Sequence, residues 1–304
     1  EAVVRTQGGR SQVSAANNGR LLYFVNTRGQ VATLDLMTNA VSTLPGIQIR
    51  SAGDIASVAI SPDGRSLAMT STDANDANIY LVTVATIAAN GITRPRIIPL
   101  KRLVGTTSRP LAEGRQVSGI RYPDAIAWSP DSRTPELVFD AYHELTLEGE
   151  TVPFWALYYS GMGSTPSVFE LYPPQPDYNL GFPSYSSRNA NTLVFSEYFP
   201  EGDVTVNDLY VANFDRDNDQ GYLGIRRFTL NNRPIVDADQ AVFSPDDRQL
   251  CFTSAANPRA LLFYTFTSGT VQASLRAVTL DSTVVRPFWA NLDIATSVRE
   301  EQLA

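Results

Sequence analysis

A short pattern recurs along this chain and limits the folds that it can adopt more than any other feature. An apolar run leads into a turn of Ser-Pro-Asp-Gly type, and a second run of Leu-x-Phe type follows the turn. Four close copies occupy residues 58–69, 126–139, 183–195 and 241–252, and two looser copies occupy 13–24 and 287–294. Proline presets φ at the second turn position, aspartate bonds the turn backbone and glycine tolerates a positive φ, so each copy predicts a β-hairpin.

Two further strands are predicted after most of the hairpins. The third strand pairs an aliphatic with an aromatic residue, as at 79–82 and 262–264, and the fourth is more polar, as at 96–100. The equivalent leucines of the second strands are 42 to 70 residues apart, at Leu22, Leu67, Leu137, Leu193, Leu250 and Leu292. Four strands in a repeat of about 40–50 residues, with insertions in the longer repeats, are typical of the blades of a β-propeller.

The repeats therefore predict an all-β chain that folds as a single six-bladed β-propeller domain, residues 1–304. The predicted blades cover approximately 7–50, 51–105, 117–175, 178–233, 236–281, and 284–298 together with 1–6. The last blade is too short to supply four strands alone. We expect the N-terminal strand to complete it, which joins the two ends of the ring and removes an exposed edge. The alternative is a ring of five blades with a tail.

The Ser-Pro-Asp-Gly hairpins, each followed by a third strand such as Ile79-Tyr80, resemble the TolB-like β-propeller repeat over about residues 11–291. This repeat occurs in a periplasmic protein and in the propeller domains of prolyl oligopeptidase-type enzymes. The resemblance implies a bacterial protein that is periplasmic or secreted, but propellers host many unrelated activities. The chain contains no Gly-x-Ser-x-Gly elbow of an α/β-hydrolase, so we expect a propeller alone or one from a larger protein.

Charge and composition exclude several functional classes. The net charge is −7, and an acidic surface repels phosphate backbones, so nucleic acid is not an expected partner. No run of about 18 apolar residues is present, so no membrane span is predicted. The only cysteine, Cys251, cannot form an internal disulfide and lies in a strand-like run, which predicts a buried thiol.

Two aspartates are candidate ligand-binding residues at the mouth of the central channel. Asp124 and Asp239 each stand five residues before the turn serine of their blade, where the innermost strand begins. Two carboxylates at that mouth can hold a cation or a basic group of a ligand. The alternative is structural, with both side chains bonding loop N–H groups.

His143, followed by Glu144, is a second candidate for ligand contact. It is the only histidine, and we predict that it lies on a loop between the second and third strands of the third blade. A loop histidine is either simply exposed to solvent or a ligand contact from an insertion on the propeller face. Zinc enzymes usually use two or three histidines or cysteines grouped together, and with one of each this chain is not expected to supply such a group.

Acidic residues alternate at Asp215, Asp217 and Asp219. Alternating carboxylates suit a calcium loop. However, Gly221 stands at the seventh position and Arg226 at the twelfth, so the stretch departs from the EF-hand pattern and a plain polar turn is favoured. Calcium is the alternative, and no other cofactor is predicted.

These observations predict a non-catalytic binding or scaffold module, monomeric and extracytoplasmic, that binds a protein or small ligand at one propeller face. One alternative is the propeller domain of a larger hydrolase of the prolyl oligopeptidase type. Another is a propeller enzyme that uses paired carboxylates, with Asp124 and Asp239 as the first candidates.

Overall fold

The computed structural model describes most of the chain from residue 13 to residue 279. The described residues are 13–16, 19–87, 91–100, 116–117, 119–131, 133–147, 150–162, 166, 168–171, 179–201, 204–214, 222–227, 229–230, 233–234, 238–254, 260–266 and 274–279. No helix among them is long and apolar enough to cross a membrane.

Five antiparallel sheets follow one another along the chain, and the four main strands of each follow the sequence order. Four of the sheets have four strands, and the third has a fifth short strand. Blade 1 contains β1 Ser14–Ala15, β2 Leu21–Val25, β3 Val31–Asp35 and β4 Val41–Thr43. Blade 2 contains β5 Ile55–Ile60, β6 Ser66–Ser71, β7 Asn78–Thr83 and β8 Arg96–Pro99, with a 3-10 helix at Val84–Thr86. Blade 3 contains β10 Tyr122–Trp128, β11 Glu136–Leu147, β12 Glu150–Gly161 and β13 Val168–Glu170, and β9 Gln116–Val117 pairs with β11.

Blade 4 contains β14 Asn179–Tyr185, β15 Thr192–Glu201, β16 Val204–Phe214 and β17 Tyr222–Arg227. A two-stranded ribbon, β18 Thr229–Leu230 and β19 Arg233–Pro234, precedes blade 5. Blade 5 contains β20 Ala238–Phe243, β21 Gln249–Ser254, β22 Ala260–Thr265 and β23 Ser274–Thr279. The all-β propeller is confirmed, but the described residues form five blades and not the predicted six. The predicted sixth blade, 284–298 with 1–6, lies outside them.

The hairpin turns show why the recurring residues turn the chain. In blade 2, Ser61 Oγ donates to Asp63 Oδ1 at 2.6 Å, and the backbone N–H of Arg65 donates to the same oxygen at 3.0 Å. Gly64 has φ +72°, a left-handed conformation that glycine adopts without steric cost. The first strand of the hairpin then pairs with the second from Ile60↔Leu67 onward.

The hydrophobic core lies between successive blades. One cluster joins blades 2 and 3 around Tyr158 and Phe139, and others join blades 1 and 2, 3 and 4, and 4 and 5. Phe139 and Tyr158 are fully buried, and burying a large apolar side chain contributes roughly 1.5–3 kcal/mol. The innermost strands β1, β5, β10, β14 and β20 line a central channel.

The innermost strands of four blades carry a β-bulge, where two residues oppose one residue of the second strand. The shifts lie between Ile55 and Val58, Pro123 and Ile126, Gly181 and Ser184, and Asp239 and Val242. Bulges bend a strand and free its backbone groups from the ladder. Those groups therefore need other hydrogen-bond partners.

A polar side chain of the preceding blade meets the bulge in three cases. Thr70 Oγ1 donates to the carbonyl of Asp124 at 3.1 Å. Asp140 Oδ2 accepts the N–H of Phe182 at 2.8 Å, and Ser196 Oγ accepts the N–H of Gln240 at 3.1 Å. Each of these donors and acceptors stands three residues after the core leucine of its second strand, as Asp140 does after Leu137. The bulges thus link neighbouring blades by hydrogen bonds.

Candidate functional site

A cavity of about 430 Å³ opens between blades 3 and 4 at the starts of β10 and β14, away from the Ser-Pro-Asp turns. We call it the mouth cavity. Its lining includes two carboxylates, one amide and three aromatic rings, from Asp124, Asp140, Asn179, Trp155, Phe182 and Tyr198. An apolar pocket with a few convergent polar groups is the usual form of a small-ligand site.

Asp124 and Asp239 both lie at this end of the propeller, but only Asp124 lines the mouth cavity. Asp124 is buried at the start of β10. Asp239 Oδ1 accepts hydrogen bonds from Ser196 Oγ at 2.8 Å and from the Tyr198 hydroxyl at 2.5 Å. Asp239 is therefore joined to the cavity through Tyr198, whose ring forms part of the wall.

Asp140 is the lining carboxylate that the sequence analysis missed. It is 3% exposed, and its two oxygens accept the N–H groups of Ala125 at 2.7 Å and Phe182 at 2.8 Å. A Cβ added at Gly181 would lie 3.1 Å from Asp140 Oδ2 and 3.3 Å from the Tyr198 ring. A glycine at that position therefore lets the carboxylate and the ring approach the strand. The signal that could have found Asp140 is its offset of three residues from Leu137.

Contacts with neighbouring residues fix the aromatic rings that line the mouth cavity. Trp155 meets the rings of Tyr122 and Tyr142 edge-on, with both centroids 5.5 Å away, and its backbone N–H donates to Asn179 Oδ1 at 3.0 Å. Phe182 has φ +50°, a strained conformation for a residue with a side chain, which the bond to Asp140 helps to hold.

Tyr198 is held as a neutral phenol. Burial raises its pKa well above the ordinary value, and the charge of Asp239 and the hydrogen bond to it raise the pKa further. The ring lies edge-on to Phe182, with centroids 6.1 Å apart. The mouth cavity thus combines carboxylates with aromatic rings, and both attract cations.

His143 and Glu144 lie in β11 and not on a loop, so the predicted placement was wrong. The strands stay paired up to Leu147↔Glu150, because the hairpin extends well past the blade. His143 is buried between Phe154 and Tyr158, and its Nε2 lies 2.8 Å from the Tyr158 hydroxyl. Glu144 is half-buried, and its Oε2 lies 3.9 Å from Arg121 Nη1. Neither residue lines the mouth cavity, and a ligand contact at either stays a prediction.

The calcium hypothesis concerns Asp215, Asp217 and Asp219, which lie outside the described residues. Within the described part of the chain, no group of three His, Cys, Asp or Glu residues is arranged to hold a metal ion.

A second cavity, of about 470 Å³, occupies the central channel towards the turns. Its walls are the inner strands with Trp128, Tyr185 and the turn prolines Pro62, Pro130 and Pro245. No carboxylate or histidine is among its described lining residues. The mouth cavity is therefore the stronger candidate for recognition of a charged group.

Comparison with known proteins places the fold but not the function. No protein-family model and no curated protein sequence matches the chain. Among solved structures, a putative TolB from Agrobacterium tumefaciens superposes with a TM-score of 0.52 at 14% identity, over 91% of this chain and 84% of that one.

Two larger proteins are also similar. Hydrazine synthase of Kuenenia stuttgartiensis has a TM-score of 0.47 at 12% identity, over 84% of this chain and 64% of that one. Prolyl oligopeptidase B of Galerina marginata has a TM-score of 0.49 at 13% identity, over 90% of this chain and 38% of that one. This chain therefore spans less than two thirds of the length of either. The blade arrangement and the likeness to the Agrobacterium protein give this chain a TolB-like β-propeller fold.

Proposed function

We propose that this propeller is a non-catalytic binding module that takes a positively charged group of its ligand into the mouth cavity. The observation that carries the proposal is the lining itself: two buried carboxylates, Asp124 and Asp140, and three aromatic rings around one space of about 430 Å³. The group is an ammonium or a guanidinium, as on a lysine or arginine side chain.

The chemistry of the lining suits such a group. A cation beside a carboxylate at the protein surface gains about 4 kcal/mol of Coulomb energy at 4 Å and an effective dielectric constant of 20, before its own desolvation is subtracted. A ring face adds about 0.5–2 kcal/mol by cation–π attraction. Tyr198 keeps its proton because its pKa is raised, so it faces the cavity as a neutral aromatic ring.

The bonding of Asp140 favours binding over catalysis. A general acid must carry a proton that it can deliver to the substrate. Both oxygens of Asp140 accept backbone N–H groups, so this carboxylate is a fixed acceptor. Asp239 is likewise bonded to Ser196 and Tyr198. These contacts order the blades while leaving their negative charge close to the cavity.

The test is calorimetric titration with N-acetyl-arginine amide and N-acetyl-lysine amide, and with N-acetyl-citrulline amide as the neutral analogue. We expect the two cations to bind and citrulline not to bind. Asp124→Asn should weaken arginine binding about tenfold, and Trp155→Leu should weaken it less, by the loss of one cation–π contact. Asp131→Asn, in the exposed turn of the same blade, is the matched control. Equal binding of citrulline, or equal effects of Asp124→Asn and Asp131→Asn, would overturn the proposal.

We also propose an extracytoplasmic location and a monomeric state. The resemblance to the TolB-like repeat supports the location. Both are open to direct measurement, by fractionation of cells that express the full-length gene and by sedimentation of the purified chain. Recovery in the cytoplasmic fraction would reject the location and leave the binding proposal unaffected.

A further inference from the structure

The charge of this chain is unevenly distributed along the sequence. Residues 134–215 contain twelve Asp and Glu residues but only one basic residue, Arg188. The net charge of that stretch is −11, whereas the whole chain carries −7, so the rest of the chain is net positive at +4. The stretch covers nearly all of blade 3 after β10 and most of blade 4, the two blades that form the mouth cavity.

The same two blades carry the longest hairpins among the described residues. The strands β11 and β12 have 12 residues each, and β15 and β16 have 10 and 11, whereas the equivalent strands of the other blades have five or six. Backbone pairing continues to Leu147↔Glu150 in blade 3 and to Glu201↔Val204 in blade 4. We call these two extensions the acidic hairpins.

The acidic hairpins project beyond the rim of the mouth cavity. Asp140 lines the cavity, and β11 continues from there for seven more residues to Leu147. The outermost lining residue of this hairpin is Pro153, opposite Glu144, so the three residues that follow Glu144 in β11 project about 10 Å beyond the rim at about 3.3 Å per residue. Tyr198 lines the cavity on the other side, and β15 continues past it to Glu201. A ligand that occupies the cavity and extends outward between blades 3 and 4 lies beside these hairpins.

Acidic residues also stand between the ends of these hairpins and the cavity. Glu150 is exposed at the tip of blade 3. At the base of the blade 4 hairpin, Glu197 and Asp208 stand directly opposite each other, 5% and 1% exposed. Like charges in such a pair are destabilising. Asp208 forms an ion pair with Arg227 through Oδ2, but its buried Oδ1 accepts no hydrogen bond from any described residue. Leu180, the other cross-strand neighbour of Glu197, lines the cavity.

We propose that the partner of this propeller is a protein segment with several lysine or arginine residues, which binds along the acidic hairpins and inserts one basic side chain into the mouth cavity. The inference rests on the proposed function and names the partner class for that same site. Charge complementarity carries it, since a net negative charge over two neighbouring blades attracts and orients a segment of the opposite sign. Further basic residues on the segment then add binding energy by multivalency.

The experiment measures the binding of two peptides of equal length to the full chain. Neither peptide carries any charge other than its arginines. One has three arginines spaced by glycine, and the other has a single central arginine. The three-arginine peptide should bind about tenfold tighter, with a steeper loss of affinity as salt is raised. Glu144→Gln with Glu150→Gln should abolish that preference while single-arginine binding stays unchanged. The control for bulk charge is Asp63→Asn with Asp131→Asn, at the turn end of blades 2 and 3. Urea midpoints of all variants check that they fold.

The results separate failure of this inference from failure of the proposed function. A single-arginine peptide that binds as well as the three-arginine peptide overturns this inference and leaves the proposed function standing. If neither peptide binds, the proposed function is overturned. Equal loss in the hairpin and control variants shows bulk attraction only and overturns the inference. A concentration-dependent dimer in sedimentation, lost in Glu144→Gln with Glu150→Gln, would replace the segment by a second copy of this chain and also overturn it.

Discussion

Asp140 and Phe182 join two blades of the propeller, because the carboxylate Oδ2 accepts the backbone N–H of Phe182 at a distance of 2.8 Å. The other oxygen accepts the N–H of Ala125, in the innermost strand of its own blade, at 2.7 Å. One side chain therefore satisfies a bulge in each of two neighbouring blades. It also forms part of the wall of the mouth cavity, so the stability of this blade pair and the shape of the site depend on the same carboxylate.

Replacing Asp140 should destabilise the fold more than its size suggests. Asp140→Ala leaves two N–H groups without acceptors, and each such loss costs about 1–3 kcal/mol, so the free energy of unfolding should fall by about 2–6 kcal/mol. Asp140→Asn keeps one acceptor oxygen and should lose about half as much. Urea denaturation measures both values. Asp54→Ala, at an exposed aspartate, is the control, and an equally small change in all three variants would contradict the assigned role.

Asp247 should tolerate neither glycine nor alanine, although glycine suits its backbone. Its φ is +59°, where blade 2 has Gly64 at +72°. Its carboxylate accepts hydrogen bonds from Ser186 Oγ at 2.6 Å, the Ser187 N–H at 2.7 Å and the Arg188 N–H at 3.0 Å. Asp247→Gly relieves about 1–2 kcal/mol of left-handed strain but loses these bonds, and Asp247→Ala loses them and keeps the strain.

We therefore expect the free energy of unfolding to decrease in the order wild type, Asp247→Gly, Asp247→Ala, with the last lower than wild type by about 2–4 kcal/mol. A double-mutant cycle with Ser186→Ala isolates the contact between the two turns. Greater stability of Asp247→Gly than of wild type would show that strain outweighs the inter-blade bonds.

The turn aspartates should contribute to acid denaturation. The hydrogen bond from Ser61 and the N–H of Arg65 hold the pKa of Asp63 below its ordinary value, and Ser244 and Arg248 do the same for Asp246. A carboxyl with a lowered folded-state pKa stabilises the fold fully above its unfolded pKa of about 3.9, and this contribution is lost as the pH falls through the folded value.

The double variant Asp63→Asn with Asp246→Asn should therefore lose less stability than wild type as the pH falls from about 5 to about 2. Chemical denaturation at a series of pH values gives the comparison. Asp54→Asn serves as the exposed control. Parallel curves of unfolding free energy against pH for wild type and the double variant would show that Asp63 and Asp246 do not contribute to acid denaturation.

Cys251 should be inert in the folded protein. The thiol lies in β21, it is 3% exposed, and burial raises its pKa to about 12. The thiolate is the reactive form, so an aromatic disulfide reagent at pH 8 should label Cys251 slower than an unfolded thiol by at least about a thousandfold. Thr38→Cys in a Cys251→Ser background provides an exposed thiol for comparison. Equal labelling rates would show that blade 5 opens readily.

The hairpins and the burial of Cys251 could be predicted from the sequence, and so could the position of Asp124 at the start of an innermost strand. The number of blades could not be predicted as reliably, because the looser copies of the pattern lack the residues that make its turns. His143 was misplaced because the predicted loop is an extended hairpin. Its neighbours Phe154 and Tyr158 come from the opposite strand, and a window along the sequence does not bring them together.

The sequence by itself determined the turns, because serine, proline, aspartate and glycine act on the backbone within a few residues of themselves. Ser61 and Asp63 need only each other and the backbone N–H groups of Arg65 and Ser66. Only the tertiary structure decided that Asp140 and Tyr198 would line one cavity. Asp140 bonds a residue 42 positions away, and Tyr198 bonds Asp239, 41 positions away. Such contacts depend on how blades pack side by side, and that arrangement is set by the burial of whole strands and not by any local run of residues.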